Sequence, residues 1–342
     1  MRLSDFDFEL PEDAIARHPA ERRDGSRLMV LHRADGRVEH RRFAELPELL
    51  APKDLLVVND SKVLKGRLFT HKQETGGKVE LLLVEPVDGE ALRWRAMAVG
   101  TKSLRAGQAL VVDEGVAPLL VVAVEGDGFV QVDLPTAAEV LAERFGQLPL
   151  PPYMRRAAEA ADEERYQTIF AQPDRLGSVA APTAGLHFTP ELLARLAARA
   201  IDKATLTLHV GPGTFLPVRA ERLEDHVMHV ERYEVPSGTV EQVAHTRRVG
   251  GRVVAVGTTA TRVLESRGGA LMAGPGSTDL FIQPGFPFKL VDVLITNFHL
   301  PRSTLLMLVS AFAGREHVLE AYRCAVREGY RFYSYGDAML IL

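Results

Sequence analysis

The stretch from Gly177 to Phe215 constrains this chain most, because its apolar period changes within it. Thr189 followed by Pro190-Glu191 reads as a helix start. A hydroxyl can cap the first amides, and proline follows where its missing N–H costs nothing. Leu192, Leu193 and Leu196 then recur at helical spacing. After Asp202 the period drops to two, with Thr205, Thr207 and His209 on one face and Leu206, Leu208 and Val210 on the other. Two Gly-rich loops bracket helix and strand: Gly177–Phe188 before them and Gly211–Thr214 after them. This alternation points to a layered α/β fold, in which ligands bind near the ends of elements. Glycine alone also serves plain tight turns. The density of Gly, Thr and His with few charges is what marks these loops as a candidate site.

Three further apolar runs end in polar residues. Asp54–Asn59 runs into Asp60-Ser61-Lys62, Arg252–Val256 into Gly257-Thr258-Thr259, and Leu290–Thr296 into Asn297-Phe298-His299. With the strand ending at Gly211 they make four, and if they lie side by side their ends build one site. The Gly-Thr-Thr join before a helix at Thr261–Arg267 could offer amides and hydroxyls to an anion. From Arg67 to Val132 the texture differs. Short alternating or apolar runs recur, separated by Gly and Asp turns such as Gly126-Asp127-Gly128. The expected fold is therefore an α/β main domain, a layered sheet with flanking helices, carrying an inserted all-β barrel domain. The main domain takes residues 1–65 plus 151–342 and the insertion 66–150. A Pro-rich hinge at Leu148–Tyr153 carries the chain back.

A single cysteine, Cys324, excludes an internal disulfide and suits a reducing compartment. Charges from Arg2 to Glu12 leave no signal-peptide pattern, and runs such as Leu305–Ala313 are too short to span a bilayer. A cytoplasmic monomer without membrane contact is expected. The net charge of −4 gives no global case for nucleic acid, but Arg17–Arg42 holds eight arginines against four acids. Such a face can meet phosphate, or can be a solvated surface with internal ion pairs. Arg22 and Arg23, with Arg155 and Arg156 beyond the hinge, are the candidate phosphate-binding cations.

Several chemistries find little support. His226-x-x-His229 has zinc-like spacing, but no cysteine cluster accompanies it and its stretch is not helix-like. No metal is expected. Neither G-x-S-x-G nor a G-x-G-x-x-G after a strand is present. A metal-dependent hydrolase and a non-catalytic binding protein remain as alternative classes.

GSVAAPTAGLHFT and TLHVGPGTF resemble the signature segments of the S-adenosylmethionine:tRNA ribosyltransferase-isomerase family of queuosine biosynthesis. LVVNDSKVLKGRL, GGKVELLL, LITNFHLPRSTLLMLVSAFAG and YRFYSYGDAMLIL are similar to the same family, so the likeness covers nearly the whole chain. Pro212, Gly66 and Val293 depart from its pattern. The resemblance implies the same two-domain organisation. It also implies transfer of the ribosyl part of S-adenosylmethionine to a 7-aminomethyl-7-deazaguanine in tRNA, with no metal and no cofactor beyond that substrate. A base must take a proton beside the sulfonium, and adenine leaves better protonated. Histidine suits such transfers near neutral pH. His187, His299, His209 and His229 are the acid–base candidates, with Glu231 behind them. Candidate substrate contacts are Asp60, Lys62, Thr183, Gly185, Gly211, Gly213, Thr214, Thr258, Thr259 and Asn297. Phe188, Phe215 and Phe298 could stack on a base.

Overall fold

The computed structural model describes residues 1–99, 104–214, 218 and 220–342. A hairpin of β1 (Arg27–Leu31) and β2 (Val38–Arg42) comes first, and the short α1 (Leu46–Leu49) leads into β3 (Leu55–Asn59) and β4 (Lys62–Val63). Six strands follow: β5 (Arg67–Lys72), β6 (Lys78–Pro86), β7 (Arg93–Val99), β8 (Ala109–Val111), β9 (Leu119–Gly126) and β10 (Phe129–Asp133). They close in the order β10-β7-β6-β5-β8-β9, the barrel expected from the short alternating runs. Leu68, Leu81, Ala96, Leu110, Val121 and Val130 fill its interior. The helix α2 (Ala138–Phe145) seals one end by packing Ala138, Leu141 and Ala142 into the same core. Gly146 lets the chain leave: a Cβ there would stand 1.8 Å from the Lys65 carbonyl oxygen.

The remaining elements are α3 (Ala160–Arg165), β11 (Leu176–Ser178), α4 (Pro190–Ala198), β12 (Asp202–Leu208), β13 (Glu231–Val235), α5 (Ser237–Arg248), β14 (Val253–Val256), α6 (Gly257–Glu265), β15 (Gly274–Thr278), β16 (Val293–Asn297), α7 (Thr304–Ala313), α8 (Arg315–Arg327) and β17 (Ala338–Ile341). Thr189 caps α4 as expected, its hydroxyl accepting from the Leu192 amide at 3.1 Å. One nine-stranded sheet runs β15-β13-β12-β3-β14-β16-β17-β1-β2. Its central strands are continuous apolar runs because both faces are covered. Leu55 and Val57 of β3 join the core under α7 and α8, while Leu56 and Val58 join the core under α4.

The registers β12–β3, β3–β14 and β14–β16 are all parallel. The four strand ends picked out in the sequence therefore lie on one edge. Val293 is buried within β16, a position that tolerates a large apolar side chain. One boundary differs from expectation. The helix after β14 begins at Gly257, not Thr261, so Thr258 and Thr259 belong to its first turn. Gly257 permits this abrupt turn with φ +92°, a left-handed value that disfavours other residues.

Candidate active site

The ends of β12, β14 and β16, the first turn of α6, the turn Thr183–His187 and the C-terminal loop at Tyr333-Ser334 surround a cleft of about 60 Å³. Tyr153, Tyr166 and Tyr333 give it aromatic surfaces, and Ala180, Ala181, Pro182, Val210 and Leu305 complete its apolar lining. Thr183, Gly257, Thr258, Thr259, Thr296, Asn297 and His299 line it with polar groups or bare backbone. Three of the lining residues carry a buried polar atom with no partner in the protein: Asn297 Oδ1, Thr259 Oγ1 and Tyr166 Oη. Buried polar atoms in folded proteins are overwhelmingly paired, so three orphans around one cleft mark a place for a ligand.

Of the histidines, His299 alone lines this cleft. Its Nε2 lies 2.8 Å from Thr296 Oγ1, and the Tyr322 hydroxyl accepts from its backbone amide. Burial pushes its pKa down to about 3, so the ring is neutral at pH 7. His187 stands behind the cleft. Its Nδ1 is 2.8 Å from Ser26 Oγ, its Nε2 is 3.1 Å from Asn297 Nδ2, and its ring stacks on Phe43. Burial, reinforced by Arg331 and Arg23, lowers it to about 3 as well. Both ring nitrogens are engaged, so His187 holds Asn297 in place and does not face the cleft.

His209 and His229 sit elsewhere, in the junction between barrel and sheet. One cavity of about 700 Å³ there is lined by Val84, Arg95 and Phe129 of the barrel and by His209, Gly211, His229, Glu231 and Arg232 of the sheet side. A neighbouring cavity of about 320 Å³ shares Phe129, His229 and Glu231 and reaches Leu305, which also lines the cleft. His209 follows the last residue of β12, and burial with Arg232 and Arg175 nearby lowers its pKa. Its Nδ1 has no partner. His229 packs against Gly213, where a Cβ would come within 2.9 Å of its ring. Glu231 is pinned on both oxygens, by the Gly211 amide at 2.9 Å and by the buried Arg262 guanidinium.

Other expected contacts fall away from the cleft. Phe188 is fully buried between Phe43 and Phe170, and Phe298 is fully buried among Tyr322, Tyr330 and Phe332. Both are core rings and neither can stack on a base. Phe215 lies outside the described residues, and Thr214 ends the turn Pro212–Thr214. Gly185 is buried against Thr168. Asp60 accepts from Thr207 Oγ1 at 2.6 Å, and burial raises its carboxyl pKa. Lys62 belongs to β4, paired to β11. Neither Asp60 nor Lys62 lines the cleft.

The candidate cations are largely engaged. Arg23 donates to the Leu186 and Glu164 carbonyls, and Arg156 forms a two-pronged pair with Asp162. Arg22 pairs with Asp24 and Arg155 with Glu12, but both arginine side chains stay exposed. Among the described residues, no group of three or more His, Cys, Asp or Glu is placed to hold a metal ion, and His226 lies edge-on to Phe281. Among them, too, no helix is long and apolar enough to cross a membrane.

Sequence reasoning overlooked Tyr153, Tyr166, Tyr333 and Ser26. The tyrosines come from the hinge, the segment after it and the C-terminal run YRFYSYGD, whose density of tyrosine was the available signal. Ser26 gave none, since its partner is 161 positions away.

The family model described as queuosine biosynthesis protein matches residues 3–341. A protein of Anaeromyxobacter sp. (strain K) named S-adenosylmethionine:tRNA ribosyltransferase-isomerase is 59% identical, over 100% of this chain and 99% of its own length. One of the same name from Pelobacter propionicus is 51% identical over the full length of both. The crystal structure of S-adenosylmethionine tRNA ribosyltransferase from Thermotoga maritima is 41% identical with a TM-score of 0.57, covering 99% of this chain and 100% of that one. Similarity of this extent leaves one conclusion: the chain belongs to the queuosine biosynthesis family, together with the S-adenosylmethionine:tRNA ribosyltransferase-isomerases.

Proposed function

We propose that this protein transfers and isomerises the ribosyl group of S-adenosylmethionine onto 7-aminomethyl-7-deazaguanine at the wobble position of a tRNA. The products are epoxyqueuosine-tRNA, adenine and methionine. The names of its relatives supply the two substrates. The observation that carries the reading is the cleft, with unpartnered polar atoms beside aromatic walls and one neutral imidazole.

The chemistry asks for a group that removes a proton from the carbon beside the sulfonium. Among the described lining residues, His299 is the one imidazole, and burial keeps it neutral at pH 7, with a ring nitrogen lone pair. Tyrosine faces accommodate a sulfonium without a competing cation. The first turn of α6 turns Gly257, Thr258 and Thr259 toward the cleft, and the free amides of a helix start favour an anionic group such as a carboxylate. The junction cavity adjoins the cleft at Leu305 and offers the tRNA base a route from the barrel side. Exposed Arg22 and Arg155 are available to phosphates, whose binding releases counterions and weakens steeply with salt. A monomer in the cytoplasm completes the reading.

The test is direct. Purified protein with S-adenosylmethionine and tRNA carrying the aminomethyl base should release adenine and methionine, in the presence of a chelator as in its absence. Binding of that tRNA without adenine release would instead make the protein a binding module. Activity that disappears with the chelator would favour a metal-dependent enzyme.

A further inference from the structure

We infer that Asn297 reads the exocyclic amino group of a flat heterocycle bound in the cleft, and that His187 is the positioning residue that aims it. This rests on the proposed function, since it assumes that the cleft takes one of the two bases of that reaction.

The orientation of Asn297 follows from its partners. Nδ2 lies 3.2 Å from the Tyr333 carbonyl oxygen. A carbonyl only accepts, so the nitrogen of the carboxamide must be on that side. The second proton on Nδ2 points to His187 Nε2 at 3.1 Å, which must then present a lone pair. The ring proton accordingly sits on Nδ1 and is donated to Ser26 Oγ at 2.8 Å. Phe43 stacks on the imidazole at 4.9 Å between ring centroids and fixes its plane. Tyr333 holds its carbonyl in place with a left-handed backbone, φ +76°, a conformation that persists in a non-glycine residue only where its surroundings impose it.

What remains is Oδ1, an acceptor on a side chain 2% exposed, with no partner in the protein. A buried acceptor held this way selects a ligand that brings a donor and rejects one that lacks it. The cleft narrows the choice of donor. Among the described residues that line it there is no Asp or Glu, so nothing there balances an ammonium. Aromatic side chains fit a planar ring, and the unpartnered hydroxyls of Thr259 and Tyr166 can turn to donate to ring nitrogens. An N–H donor beside ring-nitrogen acceptors is the edge of an aminated heterocycle. Two such rings enter the reaction, the adenine of S-adenosylmethionine and the deazaguanine of the tRNA.

The experiment measures discrimination. Titration calorimetry compares S-adenosylmethionine with the analogue in which hydrogen replaces the purine 6-amino group, and a parallel arm compares tRNA carrying the target base with tRNA whose base lacks its 2-amino group. The expected result is roughly tenfold tighter binding of the amino form in one arm by the wild-type protein. Asn297→Leu should bring that ratio close to one. His187→Leu, which removes the lone pair that aims the carboxamide, should do the same, while His187→Gln keeps an acceptor and should retain the preference. A merely structural His187 would shift melting temperature in both variants and leave the ratio alone. A preference in the first arm assigns the subsite to adenine, and in the second to the tRNA base. No preference in either arm, or one that survives both leucine variants, overturns the inference. A wild-type protein that binds neither S-adenosylmethionine nor tRNA overturns the proposed function instead.

Discussion

The cleft on the sheet edge and the junction under the barrel each gather histidines and aromatic rings, yet they hold them in opposite ways. At the cleft, His299 on its wall and His187 behind it are buried and fixed by hydrogen bonds on the sheet side. At the junction, His209 and His229 line cavities whose walls come from both the barrel and the sheet side. Ion pairs span that gap loosely: Arg232 stands 3.9 Å from both Glu85 and Asp88 of the barrel side. On the proposed function, the contrast separates two tasks. A group that discriminates atoms needs an environment that cannot yield, whereas a surface proposed to admit a base from a large RNA needs room to adjust.

The largest effect that could break this division is on turnover. His299→Gln should fold normally and lose roughly 10²–10⁴ in adenine release, the range for general acid–base groups. His187→Gln, which keeps the hydrogen bond to Asn297, should stay within about tenfold of wild type. Equal losses in both would return His187 to the chemistry. A larger loss in His209→Gln or His229→Gln than in His299→Gln would move the proton transfer to the junction.

Acid should expose the same contrast as stability. His187 and His299 have folded pKa values near 3, below the ordinary histidine value of 6.5. Their unfolded forms therefore bind protons first as pH falls. The stabilisation is complete above about pH 6.5 and is lost progressively from there toward pH 3, by up to about 1.4 kcal/mol per pH unit for each ring. Urea midpoints measured between pH 7 and pH 4.5 should fall for the wild type and fall less steeply for His187→Gln. Parallel slopes would mean that the ring is not held neutral by burial.

The smallest effect belongs to the junction. Arg232→Ala should change the unfolding free energy by less than about 1 kcal/mol, because long, partly exposed ion pairs contribute little. A loss of several kcal/mol in urea denaturation would show that the junction is as rigid as the cleft.

The same contrast governs what could be read in advance. Each of the four strand ends was legible because a buried parallel strand is an unbroken apolar run that stops at polar residues. The barrel was legible because half-buried strands alternate. The roles of single side chains were not. Phe188 and Phe298 have the composition of base-stacking rings but are sealed in the core, and hydrophobicity alone does not distinguish the two fates. Thr258 and Thr259 were expected in a loop, yet a glycine with positive φ starts the helix beneath them. The pairing of His187 with Ser26 and Asn297 joins three distant segments, and local pattern carries no trace of it.

The position of β17 bears on how the molecule assembles. This strand lies between β16 and β1, with Leu28 paired to Ala338 and Ile295 to Leu340. The β1–β2 hairpin therefore has no place in the sheet until the far end of the chain arrives. Barrel strands pair mostly with sequence neighbours, whereas this closure joins residues far apart in the sequence, a class of contact that in general forms slowly. Asp337, next to β17, accepts from the Arg27 and Arg331 amides as the closure locks. Ser26 and the Tyr333 carbonyl reach His187 and Asn297 in the same step. The groups that aim Asn297 therefore depend on the same pairing that completes the sheet.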